Sequence, residues 1–344
     1  MDEAIAVYGG NGYQGKLVLA ELVARGIRPI PVGRDRARLS AAALAVGLDD
    51  PEIRVAALED EAALVAAFED VEAVINCAGP FTGTGRRVIR AAAAARTPYV
   101  DTAGEQEYVK SVFDTFAGAP VSVVPAANDG CVPVDLLAHL MAGEVRRTDR
   151  IVLTHVIAGG GGPSRGSLRS ALGTLDSLVS GGFTYVDGEW RTAVPASVEQ
   201  VTLPGHDRPT DVVRLPLCEV VTIPRHVAVG NVESVVEAVV GERLRTPIPP
   251  ELIETLPDGP SAEARAGQRF TYVVDVWRAG EIVSRGVVEG VDTYGTTAVI
   301  AVEAARRLGA GGAPRGVLAP ANAFSAADFL NFLGSAGLRW SMRP

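Results

Sequence analysis

Lysine is nearly missing from this chain of 344 residues, with only Lys16 and Lys110, so its positive charge sits almost wholly on arginine. Cysteine and histidine are sparse as well. Cys77, Cys131 and Cys218 stand far apart with no Cys-x-x-Cys pair, which indicates neither a disulfide framework nor a zinc site. His139, His155, His206 and His226 are equally scattered, and no metal is expected. There is no basic run and the net charge is -9, so no nucleic-acid partner is expected. No apolar stretch reaches the roughly 18 residues of a membrane helix, so no membrane association is expected either. Met1-Asp2-Glu3 is acidic and the apolar run after it is too short for a secretory signal; the expected location is cytoplasmic. What remains is an ordinary globular balance, 47% hydrophobic and 21% charged, at a length that suits two domains.

The chain is organised around its first turn. Ala4-Ile5-Ala6-Val7 reads as a buried strand, and Leu17, Leu19, Leu22 and Val23 give the helical pattern that follows. Between them lie Gly9, Gly10, Asn11, Gly12, Tyr13, Gln14 and Gly15. This fits Gly-x-Gly-x-x-Gly from Gly10 and its variant Gly-x-x-Gly-x-x-Gly from Gly9. Such a turn puts a pyrophosphate on a helix N-terminus, with glycines for tight turning, phosphate approach and close helix packing. Short β-type runs then alternate with helices to about residue 130, the pattern of a doubly wound parallel sheet. The second strand, Arg28 to Val32, carries two prolines that sit awkwardly in a central strand. Later stretches are β-rich, with a hairpin through Ala279-Gly280 whose Val274, Val276, Val283, Val287 and Val288 could share a face. The expected fold is α/β: a Rossmann domain over 1–130, a mixed α+β substrate domain with an antiparallel sheet over 131–308, and a segment 309–344 returning to the first domain.

Cofactor choice is made at the end of the second strand, where an acid binds the ribose hydroxyls of NAD and an arginine the 2′-phosphate of NADP. Here the residues are Gly33-Arg34-Asp35-Arg36. Arg34 could fork onto the phosphate, helped by Arg36 or Arg38, and the reading favours NADP(H). Asp35 is the competing NAD contact, but it also sits where the next helix needs its N-cap. Asn76 and Cys77 lead into Ala78, Gly79, Pro80 and Phe81, which end the fourth strand at the edge where such sheets bind ligands, so this loop is expected beside the cofactor. Cys77 itself reads as a buried, inert thiol. Asp101 and Glu105 follow the fifth strand, either as proton-supplying groups or as helix caps. Ser167 and Ser170, near Arg165 and Arg169, could hold an anionic group or simply open a capped helix.

A short-chain dehydrogenase would need a tyrosine with a lysine four residues later. Gly12 and Gln106 occupy the places four before the two lysines, so that mechanism is excluded. The chain instead resembles the saccharopine dehydrogenase-like NADP-binding oxidoreductases, in their shorter branch with the trans-acting enoyl reductases. The resemblance rests on Gly9 to Gly15, Gly33-Arg34-Asp35, Asn76 to Phe81, Tyr99 to Glu105, Pro133-Val134-Asp135 and Pro314 to Ala321. It implies a Rossmann domain, an inserted α/β substrate domain, and a C-terminal segment that returns. It also implies an NADPH-dependent reductase acting on a small-molecule imine, enone or carbonyl, with a homodimer as the candidate assembly. One departure matters: where similar proteins read Gly-Phe-Asp-Ser-x-Pro-Ser-Asp, this chain has Asn128-Asp129-Gly130-Cys131-Val132-Pro133-Val134-Asp135. Asp101 and Asp129 are the candidate catalytic residues. Two alternatives stay open: an acyl-phosphate or semialdehyde reductase with Cys131 as nucleophile, and a non-catalytic NADP sensor.

Overall fold

β1 (Ala4–Tyr8) is apolar on both faces and lies inside a seven-stranded parallel sheet. The computed structural model describes residues 3–145 and 148–343; Met1 and Asp2, the acidic start, lie outside the described residues. After β1 come α1 (Tyr13–Ala24), β2 (Arg28–Gly33), α2 (Arg36–Ala45), β3 (Arg54–Val55), α3 (Glu61–Phe68) and β4 (Ala73–Asn76). The alternation continues through α4 (Phe81–Ala94), β5 (Tyr99–Asp101), α5 (Gln106–Phe116) and β6 (Ser122–Val124). The strand order β3-β2-β1-β4-β5-β6 is that of a Rossmann fold, and a later strand, β15 (Gly316–Val317), adds in parallel beside β6.

The prolines of β2 are accommodated by parity. Arg28 N–H donates to Glu3 O on the β1 side, so Pro29 and Pro31 turn their nitrogens towards β3. That strand is so short that it pairs only with Val32 and Gly33, and no ladder bond is lost.

α6 (Val132–Glu144) leads from the first sheet into the second part of the chain. There follow β7 (Thr148–Ala158), α7 (Arg165–Gly173), α8 (Leu175–Ser180), β8 (Phe183–Val186), β9 (Glu189–Thr192), β10 (Gln200–Thr202) and β11 (Pro209–Arg214). Next are α9 (Glu219–Thr222), β12 (Val229–Glu237), α10 (Ala238–Arg245), α11 (Pro250–Thr255) and α12 (Ala262–Ala266). β13 (Arg269–Arg278), β14 (Glu281–Val291) and α13 (Thr293–Gly309) precede β15. The described chain ends with α14 (Pro320–Ala323), α15 (Ala326–Ser335) and β16 (Arg339–Arg343).

The second sheet is mixed. β10-β11-β12-β7-β13-β14-β16 run side by side, with β7 and β12 parallel and the other pairs along this path antiparallel. The hairpin joining β13 and β14 has positive φ at both Ala279 and Gly280, as a two-residue primed turn requires. One expectation for this hairpin fails. Val274, Val276 and Val288 enter the core, but Val287 pairs with Val273 at the opposite parity and faces the other way. Val283 reaches the core beside a bulge at 276/277.

The two sheets share one core. Ile5, Val7 and Ile75 of the first sheet belong to the same cluster as Ile151, Leu153 and Val274 of the second. Leu136, Leu137 and Met141 of α6 fill the space between them. α13 closes the parallel sheet against α1, β4 and β5, so a helix from late in the chain covers the strands of its beginning. The segment after residue 309 serves both sheets, through β15 and β16.

Candidate functional site

The glycine turn joins β1 to α1. Gly9 has φ +78, and Gly12 is the N-cap of α1, its N–H bonded to Gly9 O at 2.9 Å. A Cβ on Gly15 would lie 2.2 Å from Gly9 O, so only glycine lets the helix start this close to the strand. Gly10 is buried beneath the turn, and Asn11 turns its side-chain oxygen towards Gly33. Tyr13 and Gln14 reach elsewhere. The Tyr13 hydroxyl donates to Pro260 O (2.6 Å), and Gln14 Nε2 donates to Tyr294 O (3.1 Å). Their side chains therefore tie the turn to the second half of the chain, a role that local spacing does not reveal.

Arg34 is exposed at the end of β2, and Asp35 beside it caps α2, its carboxylate accepting from Arg38 N–H at 3.1 Å. The two residues that competed for the cofactor role are thus separated by local structure. Ala78 abuts the turn, since a Cβ on Gly9 would lie 2.9 Å from the Ala78 Cβ. Gly79, Pro80 and Phe81 continue this loop into α4, and Pro80 is the N-cap position. The structure thus gathers the glycine turn, Arg34 and residues 78–81 at the carboxyl ends of β1, β2 and β4. A pyrophosphate suits this cradle: a helix N-terminus opened by glycine, with a guanidinium at the neighbouring strand end.

Glu105 is a cap, but of a different helix from the one expected. Its carboxylate accepts from Phe81 N–H and Thr82 N–H, each at 2.7 Å, and from the Thr82 hydroxyl, all at the start of α4. The Ser170 hydroxyl of α7 also donates to it at 2.7 Å. The two arginines beside Ser170 are already committed. Arg165 pairs with Asp258, and Arg169 grips Glu254 through two nitrogens, so the expected anion site is closed by carboxylates.

Asp101 is fully buried. It accepts from the hydroxyls of Tyr99 (2.9 Å) and Tyr108 (2.7 Å) and from the N–H groups of Ala103 (3.1 Å) and Ala126 (2.9 Å). Burial raises its pKa and those donors oppose the rise. With its oxygens so engaged, Asp101 holds the loop after β6 through Ala126 N–H.

Asp129 lies on that loop and is only half-buried. The Tyr272 hydroxyl of β13 donates to its Oδ2, and the Thr297 hydroxyl of α13 donates to its Oδ1 at 2.9 Å. Burial pushes its pKa up, while Tyr272, Thr297 and the charge of His155 pull it down without cancelling the rise. A carboxyl that holds its proton above the usual range at the ligand edge of the sheet is suited to proton transfer. Tyr272 and Thr297 went unrecognised because they are 143 and 168 residues distant in sequence. His155 did leave a signal: it shares the inward parity of Ile151 and Leu153 and breaks their apolar run.

Cys131 follows in the same loop and is 1% exposed, its thiol pushed up by burial and then by Cys218, Glu219 and Asp135. The Thr222 hydroxyl, 3.8 Å from the sulfur, favours a thiolate but does not offset that rise. His139, the histidine nearest to it in sequence, bonds to His226 (3.2 Å), whose other nitrogen meets Asp135 (2.9 Å). The Cys77 thiol is pushed up to about 12, chiefly by burial. Among the described residues no cluster of histidine, cysteine, aspartate and glutamate could hold a metal, and no helix is long and apolar enough to cross a membrane.

Comparison with known proteins places this geometry. Residues 5–121 match the family described as the saccharopine dehydrogenase NADP binding domain. Two Mycobacterium tuberculosis proteins, from strains H37Rv and CDC 1551 and provisionally named trans-acting enoyl reductases, are each 30% identical over 190 residues. Those alignments take in 50% of this chain and 44% of each relative, so the chain spans less than half their length. Saccharopine dehydrogenase (L-Glu forming) of Saccharomyces cerevisiae superposes with a TM-score of 0.60 at 13% identity. That superposition covers 99% of this chain and 100% of the yeast enzyme, and establishes a common fold. Residues 5–121 thus match the saccharopine dehydrogenase NADP binding domain, and the whole chain shares the fold of saccharopine dehydrogenase.

Proposed function

We propose that this protein is an NADPH-dependent reductase of a small-molecule imine, enone or carbonyl. Bound NADPH supplies the hydride. Gly9 to Gly15 and the N-terminus of α1 hold the pyrophosphate in this reading, Arg34 holds the 2′-phosphate, and residues 78–81 border the ribose and nicotinamide. Hydride addition to one end of a double bond leaves a proton to be delivered to the other. Asp129 provides it, directly or through one water, and regains a proton from solvent. The observation that carries this reading is the presence of Asp129, half-buried with raised proton affinity, on the same sheet edge as the glycine turn.

The Cys131 alternative finds no support in a buried thiol surrounded by acids. The test is twofold. Fluorescence titration should give tighter binding of NADPH than of NADH, and Arg34→Ala should abolish the difference. NADPH oxidation should then appear with at least one acceptor in a panel of cyclic imines, enones and carbonyls. Binding without oxidation of NADPH by any acceptor would favour the sensor instead.

A further inference from the structure

Beneath Asp129 a histidine and a glutamate meet in the core. His155 Nε2 and Glu219 Oε1 are 2.8 Å apart, with side chains 7% and 2% exposed, and neither atom has an aligned hydrogen-bond partner. Burying such a pair costs desolvation on both partners, and well-packed apolar residues often serve stability as well or better. The pair sits directly under the candidate acid. A Cβ on Gly130 would lie 3.2 Å from His155 Cε1, so the backbone next to Asp129 rests on the imidazole edge. Tyr272 stands opposite His155 in the β7–β13 ladder, and the rings stack with centroids 4.0 Å apart and 24° between planes. Phe270 stacks on the other side of Tyr272 at 4.8 Å and 20°. The tyrosine is thereby clamped with its hydroxyl on Asp129 Oδ2.

We infer that His155 and Glu219 are positioning residues for the acid: Glu219 abuts the imidazole, the imidazole stacks on Tyr272, and Tyr272 sets the orientation and proton affinity of Asp129. This rests on the assignment of Asp129 as proton source, but the arrangement can be tested without turnover. The titratable groups around it are His155 from β7, Tyr272 from β13 and Glu219 from α9, with Cys131, Cys218 and Asp135 behind them. α13 contributes the neutral Thr297. The sign follows from which form each group favours. The Tyr272 hydroxyl and a charged His155 both favour ionised Asp129, so removing either must raise its midpoint.

The experiment is a pH titration of the full chain carrying carbon-13 in its aspartate carboxyls, with the Asp129 signal assigned through Asp129→Asn. Tyr272→Phe keeps both stacks and deletes one hydroxyl; the midpoint should rise by about 0.5–1 unit, the worth of one hydrogen bond. His155→Phe keeps a ring under Tyr272 but removes the imidazole nitrogens and their contact with Glu219, and the midpoint should again rise. His155→Gln gives a polar alternative should the phenylalanine not fold. NADPH affinity should stay within about twofold in each variant, because none touches the glycine turn. An Asp129 midpoint unchanged in both Tyr272→Phe and the His155 variants would overturn the inference. Failure to find any reducible acceptor would sink the reductase reading and leave this result standing.

Discussion

Asp101 ends β5 and Asp129 lies on the loop after β6, at one sheet edge, and both have raised proton affinity through burial. They differ in their partners. Asp101 has no exposure and four donors, two of them backbone N–H groups that depend on it. Asp129 is half-buried and holds two side-chain hydroxyls, each on a different element of the second half of the chain. A raised pKa alone therefore does not separate a structural carboxyl from a chemical one. Donor count and access do.

Substitution should pull the two apart. Asp101→Ala leaves two tyrosine hydroxyls and two N–H groups buried without a partner. It should cost about 3–5 kcal/mol of stability, read by chemical denaturation. Asp129→Asn should change stability by no more than about 1 kcal/mol yet lower turnover by about 10²–10⁴-fold, read with whichever acceptor the screen identifies. Arg34→Ala should weaken NADPH by about tenfold or more and leave NADH nearly unchanged in the same titration. Asp35→Ala should cost about 1 kcal/mol through loss of the α2 cap while the cofactor preference persists. The pH response sharpens the contrast further. A carboxyl whose folded pKa is raised supports the fold below its unfolded value and loses that contribution as pH rises through the folded one. Both aspartates should therefore weaken the fold as pH climbs above the ordinary carboxylate range, and Asp129→Asn should flatten part of that decline in a stability–pH series.

Legibility in the sequence followed chain distance. The glycine turn, the Asp35 cap and the hairpin at Ala279-Gly280 are local, and residue type alone points to each. The prolines of β2 looked unsuitable because the sequence does not show that β3 is too short to need their nitrogens. The capped helix that Ser167 and Ser170 suggest is broken at Thr174, where the backbone leaves helical geometry between α7 and α8. Glu105 was recognised as a capping residue, but its helix, α4, begins 24 residues earlier. The surroundings of Asp129 were out of reach for the same reason: Tyr272 and Thr297 meet it only once both sheets have folded onto the core they share with α6.

The most direct measurement compares wild type with Asp129→Asn for NADPH binding and NADPH oxidation in the same samples. The account predicts equal affinity and at least about a hundredfold loss of turnover in the variant. Equal turnover in the two proteins would contradict it.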